Sequence, residues 1–169
     1  MKKLLFLSLA VLLTVVSCRK DKKSSDDSTD TQVTVTGTWV AEKFVINGTL
    51  TPSSVPVPVP FNQESTSDCV KESRLVLNED GSGDLLLKFD PQIPGVPDLG
   101  CLTVVEQTSN YTYNEDENKL EFSAGVAGDQ AVTVDDLTAN TLVLKKGFED
   151  FNYEGMGSFT GTVKVEFKK

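Results

Sequence analysis

The sequence predicts an all-β domain, an eight-stranded antiparallel up-and-down β-barrel, and three observations carry that prediction. Beyond Gly37, apolar residues recur with period two, and nowhere convincingly with the period of a helix. Short connections rich in Asn, Asp and Gly alternate strictly with long ones. In a meander, alternate connections emerge at opposite ends, so the long ones gather at one end and the tight turns at the other. Closing eight such strands removes the exposed sheet edges and leaves room for side chains or one small ligand.

The elements follow in order. The first strand is predicted over Thr38 to Ile46, the next over Val70 to Leu77, and the third over Asp84 to Phe89. Leu102 to Tyr113, Lys119 to Ser123, Ala131 to Asp135 and Thr141 to Lys145 show similar, less strict alternation. The last strand is the clearest, with Phe159, Gly161, Val163, Val165 and Phe167 alternating with Thr160, Thr162, Lys164, Glu166 and Lys168. One face is dry and the other wet. Asn78 to Gly83, Asn114 to Asn118 and Asp136 to Asn140 read as hairpin turns. The long connections are Asn47 to Asp68, Asp90 to Gly100, Ala124 to Gln130 and Lys146 to Ser158. An outer-membrane barrel would share the topology, but its strands need about 9 to 11 residues with an apolar outer face. Most segments here are shorter, and the final strand ends in two lysines.

Ahead of this domain, Lys2 and Lys3 precede a run from Leu4 to Val16 that is apolar except for Ser8 and Thr14, and Val15-Val16-Ser17-Cys18 closes it. A helix of that length rises only about 20 Å, short of the roughly 30 Å hydrocarbon core. Residues 1–17 therefore read as a removable export signal, not a span. Residues 19–36 are mostly Lys, Asp, Ser and Thr and read as a flexible tether with a span of about 20 to 25 Å. The expected organisation is a signal over 1–17, Cys18 with its tether to 36, and the barrel over 37–169.

The chain carries 16 Lys plus Arg against 25 Asp plus Glu, a formal charge of −9. Without residues 1–17, two lysines go, so 14 face 25 and the charge becomes −11. Such a balance opposes binding to nucleic acid or to anionic lipid surfaces. With Cys18 set aside, Cys69 and Cys101 remain, and an exported compartment permits one disulfide between them. A redox or metal pair is the alternative, but CxxC spacing and His are both absent.

Gly37-Thr38-Trp39 at the start of the first strand resembles the G-x-W signature of lipocalins. The stretches CVKESRLVLNEDGSGDL, YTYNEDENKLEF and AVTVDDLTANTLVLKK are together similar to the lipocalin-like lipoprotein domains abundant in Bacteroidetes, and the similarity spans most of residues 37 to 168. The segment ending at Cys18 resembles a bacterial lipobox, whose Cys is acylated and becomes the mature N-terminus. The resemblance implies a calycin-type barrel, a lipid-anchored protein of the cell envelope, here the outer membrane, and a Trp39 packed across the closed end. It leaves the periplasmic or surface face open. Lipocalins also set an Arg against that Trp, whereas this chain offers Lys164 or Lys168.

Trp39 itself reads as core, with a ligand role as the alternative. The stretch Gly147 to Gly157 places Phe148, Phe151, Tyr153 and Met156 at the mouth among acids and glycines. Aromatic faces there offer stacking to a ligand, or simply plug the barrel; both readings stand. Phe61 follows the proline-alternating stretch VPVPVP, which reads as an extended recognition strip or an edge cover. Acids at Asn78 to Gly81 and Glu115 to Glu117 lack the spacing of a calcium loop and read as solvated turns. No metal or cofactor is expected.

Without His, the commonest catalytic base and the Ser-His and Cys-His systems are excluded. No GxSxG, phosphate loop or dinucleotide fingerprint is present, so the chain is not read as an enzyme. The expectation is an anchored lipoprotein that binds a small apolar, aromatic or glycan ligand at its mouth. The alternative is a non-catalytic interaction module that docks another envelope protein, its barrel filled by side chains.

Overall fold

The structure is a computed structural model that describes residues 33–53, 57–92, 98–123, 131–153 and 157–169. Cys18, the apolar run before it, nearly all of the tether and Met156 lie outside these residues, and for Tyr153 only the backbone is described.

Nine strands and one helical turn make up the described fold: β1 (Gly37–Pro52), β2 (Val59–Ser65), α1 (Asp68–Lys71), β3 (Arg74–Leu77), β4 (Ser82–Phe89), β5 (Leu102–Asn114), β6 (Lys119–Phe122), β7 (Ala131–Leu137), β8 (Thr141–Tyr153) and β9 (Gly157–Lys168). From β3 to β9 each strand pairs antiparallel with the next. Strand β1 then joins both ends of that row, pairing β9 from Val40 to Pro52 on one edge and β3 from Gly37 to Val40 on the other. The result is the expected closed eight-stranded antiparallel barrel.

The ninth strand is the difference. Residues 59–65, expected within a long loop, pair with Phe44–Leu50 of β1 and continue the line of β3 toward the mouth. They form a strand because β1 runs to Pro52, well past the expected end at Ile46, and presents its edge there. Pro60, which cannot donate to a ladder, sits near the start of this edge strand, opposite Thr49. The edge-cover reading of the proline stretch therefore describes Val59 and Pro60. Two further expectations are corrected. Val70 and Lys71 are helical, because Ser67 caps a single turn by accepting the Val70 N–H at 3.3 Å, and only Arg74–Leu77 is extended. The supposed long loop from Lys146 is mostly strand, since β8 runs on to Tyr153 against β9.

Register shifts explain the weak alternation. Four bulges interrupt the described ladders: at Glu42 in β1, Val104 in β5, Asp135 in β7 and the Glu149–Asp150 step in β8. Each inserts one residue and switches the inward parity. Thus Trp39 and Ala41 point inward before Glu42, and Phe44 and Ile46 after it. Strand β9 carries no bulge, which is why its alternation is complete.

The core fills the short-turn half. Trp39, Leu75, Leu77, Leu120, Leu142 and Phe167 are fully buried there. Val35, which composition assigns to the tether, is buried in the same cluster, so the chain crosses beneath the barrel before entering β1.

Candidate functional site

Closure at the core end decides where a ligand could go. The Trp39 indole N–H donates to the Val35 carbonyl at 2.7 Å, satisfying its one polar atom. The Lys169 ammonium lies 4.4 Å from the Trp39 ring centroid, within cation–π range. Neither Lys164 nor Lys168 takes that place: Lys164 pairs with Asp135 at 2.7 Å, and Lys168 donates to Thr141 at 2.9 Å. Alternation sends Lys164 and Lys168 to the outer face, so the residue after the strand is the one free to fold under it.

One wall of the barrel is sealed without a backbone ladder. Strand β2 has no strand partner on its outer edge among the described residues. There the Gln63 amide acts as a strand would, donating to the Gln92 carbonyl and accepting the Gln92 N–H at 3.1 Å. Ser65 and Ser67 both donate to Asp90 Oδ1 at 2.9 Å. The Ser73 hydroxyl, fully buried in the chain between α1 and β3, accepts the Lys88 N–H at 2.7 Å and donates to the Lys88 carbonyl at 3.2 Å. Cys69 and Cys101 form the expected disulfide, which ties α1 to the start of β5.

At the long-connection end lies a cavity of about 210 Å³, open to the outside. Its floor is the stacked pair Phe44 and Phe89, with centroids 4.9 Å apart. Ile46, Leu50, Leu87, Val105 and Val163 supply aliphatic wall, and Pro91, Leu102 and Val104 line the β4–β5 side. The remaining wall is aromatic. Phe61 meets Phe159 edge to face at 6.3 Å, Phe159 meets Phe148 at 6.2 Å, and Phe148 meets Phe151 at 5.2 Å. Among the described residues, the lining has no polar side chain.

Phe61, Phe148 and Phe151, singled out from sequence, thus come together on one wall. Tyr153 closes β8 opposite Gly157, and Met156 lies outside the described residues. Sequence reasoning missed Phe159, Phe44 and Phe89 as cavity residues, because each reads as an ordinary inward strand position. The signal for Phe159 was its place at the mouth end of the one strictly alternating strand.

The acidic turns are spent locally. The Asp80 carboxylate accepts the Ser82 hydroxyl at 2.6 Å and the Ser82 N–H at 2.9 Å, and these bonds hold it below the usual carboxylate range. Burial, and then the nearby Asp80 and Glu79 charges, push the Tyr111 hydroxyl up; it donates to the Asn78 carbonyl at 2.8 Å. Among the described residues, no three metal-ligating side chains converge.

A family model, that of the lipocalin-like domain, matches residues 35–144, from the buried Val35 through β1 to the first residues of β8. No curated protein and no solved structure matches the chain at a significant level.

Proposed function

Because the chain belongs to the lipocalin-like domain family, we propose that its barrel binds a small apolar or aromatic molecule at the long-connection mouth, against Phe61, Phe148 and Phe151. The observation that supports this reading is the open cavity of about 210 Å³ with an all-apolar lining. Apolar surface removed from water contributes roughly 25 cal/mol per Å², so burial against this lining favours capture of an apolar molecule. The same lining argues against a glycan, whose hydroxyls would lose their water partners there and gain none. No residue is assigned a catalytic role.

We propose further that the domain is a cell-envelope lipoprotein of the kind found in Bacteroidetes, acylated at Cys18 and held at the outer membrane. Supporting this are the Lys2–Lys3 start, the Leu4–Val16 run and the position of Cys18, together with a disulfide suited to an exported protein. Loss of metabolic acyl labelling in Cys18→Ala would support the anchor. Unchanged labelling would remove it.

The test of binding is native mass spectrometry of the protein isolated under mild conditions from its source cells, with the disulfide kept oxidised. A reproducible excess mass that disappears on denaturation is the expected result. A bare mass, with no uptake of an apolar fluorescent probe, would overturn the reading. One observation favours a second reading, a protein-docking module: Val59, which stands opposite the cavity-lining Leu50, and Val104, itself on the lining, are 42 % and 39 % exposed. A stable complex recovered by crosslinking, together with a bare mass, would select it.

A further inference from the structure

Resting on the ligand reading above, we infer that Asp150 is a positioning residue that sets which face of β8 carries Phe151, and so completes the aromatic wall of the cavity. Phe148 and Phe151 are three residues apart, an odd spacing that puts two side chains on opposite faces of a regular strand. Yet their rings touch, with centroids 5.2 Å apart, and both line the cavity. The pairing shows how. Phe148 stands opposite Gly161 and Phe151 opposite Phe159, so Glu149 and Asp150 together face the single residue Thr160.

That extra residue restores the parity, and Asp150 is what makes it possible. Its φ is +48°, in the left-handed region that L-residues other than Asn and Asp seldom occupy. Thr160 holds it there: the Asp150 N–H donates to Thr160 Oγ1 at 3.1 Å, and the Thr160 hydroxyl donates to Asp150 Oδ1 at 3.2 Å. Bulges commonly re-aim a side chain beside a functional site, at the cost of local strain. With the bulge in place the β8 edge of the cavity offers two rings, Phe148 and Phe151, that run on to Phe159 and Phe61. With it lost, β8 slips by one residue and Phe151 turns to solvent.

The test uses the full-length chain in three forms, each read by ring-to-ring nuclear Overhauser contacts and by binding of a naphthalene-type fluorescent probe. Asp150→Val, a β-branched residue that resists positive φ, should abolish the Phe148–Phe151 contact and weaken the probe about tenfold, the loss of one aromatic wall. Asp150→Gly should keep both. The decisive form adds deletion of Glu149 to Asp150→Val. One residue then faces Thr160, the two phenylalanines share a face by simple alternation, and the ring contact and probe affinity should return. A ring contact that survives Asp150→Val, or that the deletion fails to restore in a folded protein, overturns the inference. If the native chain takes up no probe, the ligand reading fails, while the ring contacts still decide the role of Asp150.

Discussion

Gly48 of β1 and Gly161 of β9 stand directly opposite each other, and each occupies space that a Cβ on the other would need. The Phe159 ring fills what they leave, lying 2.7 Å from where a Gly48 Cβ would be and 2.8 Å from where a Gly161 Cβ would be. The pair is thus a slot for the ring that links Phe61 to Phe148.

Replacing either glycine by Ala sets a Cβ against backbone, which cannot move without opening the β1–β9 ladder. Gly48→Ala and Gly161→Ala are each expected to cost more than about 3 kcal/mol in urea unfolding. Gly147→Ala, where nothing lies within 4 Å, is the control and should cost little. Equal costs at all three positions would show that close approach is not the reason for glycine at 48 and 161.

At the closed end, Gly37 has φ +127° and a Cβ there would lie 2.8 Å from Lys169 Cε. The glycine therefore meets two needs, a left-handed backbone and a path for the lysine that covers Trp39. Lys169→Ala should lower stability by about 0.5–1 kcal/mol, the range of an exposed cation–π contact. Gly37→Ala should cost about 1–2 kcal/mol from backbone strain. Emission of the single, fully buried Trp39 reports both unfolding transitions.

Reduction of the Cys69–Cys101 bond releases a loop of sequence separation 32. The chain-entropy relation gives about 4 kcal/mol for a loop of that size. A Cys69→Ser, Cys101→Ser double variant should unfold at markedly lower urea concentration and with a steeper slope, because its denatured chain is more expanded. An unchanged midpoint would show that the crosslink adds nothing to the Asp90 bonds that hold the α1 cap and the β4 ladder that holds the start of β5.

Asp135, the bulged residue of β7, has its pKa lowered by the hydrogen bond from Lys164, then by the Lys164 charge and more weakly by Lys145. A carboxylate depressed in the folded state stabilises the fold fully above its unfolded pKa of about 3.9, and loses that effect as pH falls through the lower folded value. The pair is solvent-exposed, so its effect on stability is small. Carboxyl chemical shifts should place Asp135 below ordinary aspartates, and Lys164→Met should raise it. No rise would assign the shift to another group.

The eight barrel strands and their closure were legible because short turns of Asn, Asp and Gly alternate with long connections along the chain. What blurred the individual strands was parity. The four bulges switch the inward set mid-strand, so Trp39 and Phe44, five residues apart, share a face that simple alternation denies them. For the same reason Gly147–Tyr153 read as a loop: Phe148 and Phe151 fit no single strand phase until Glu149–Asp150 is known to bulge. Strand β2 was hidden differently, since three prolines in a row of alternation signal extension but not a partner, and most of the partner, Asn47–Leu50 of β1, itself reads as loop.

Composition, period and cysteine parity by themselves determined the barrel class, the mouth end, the aromatic candidates and the disulfide, because each depends on residue type or short spacing. Which lysine covers Trp39, which strand edge receives β2, and that Phe61, Phe148, Phe151 and Phe159 form one wall were decided only by the tertiary structure. These depend on register and parity across strands far apart in the chain, where a single inserted residue moves a side chain from solvent to cavity.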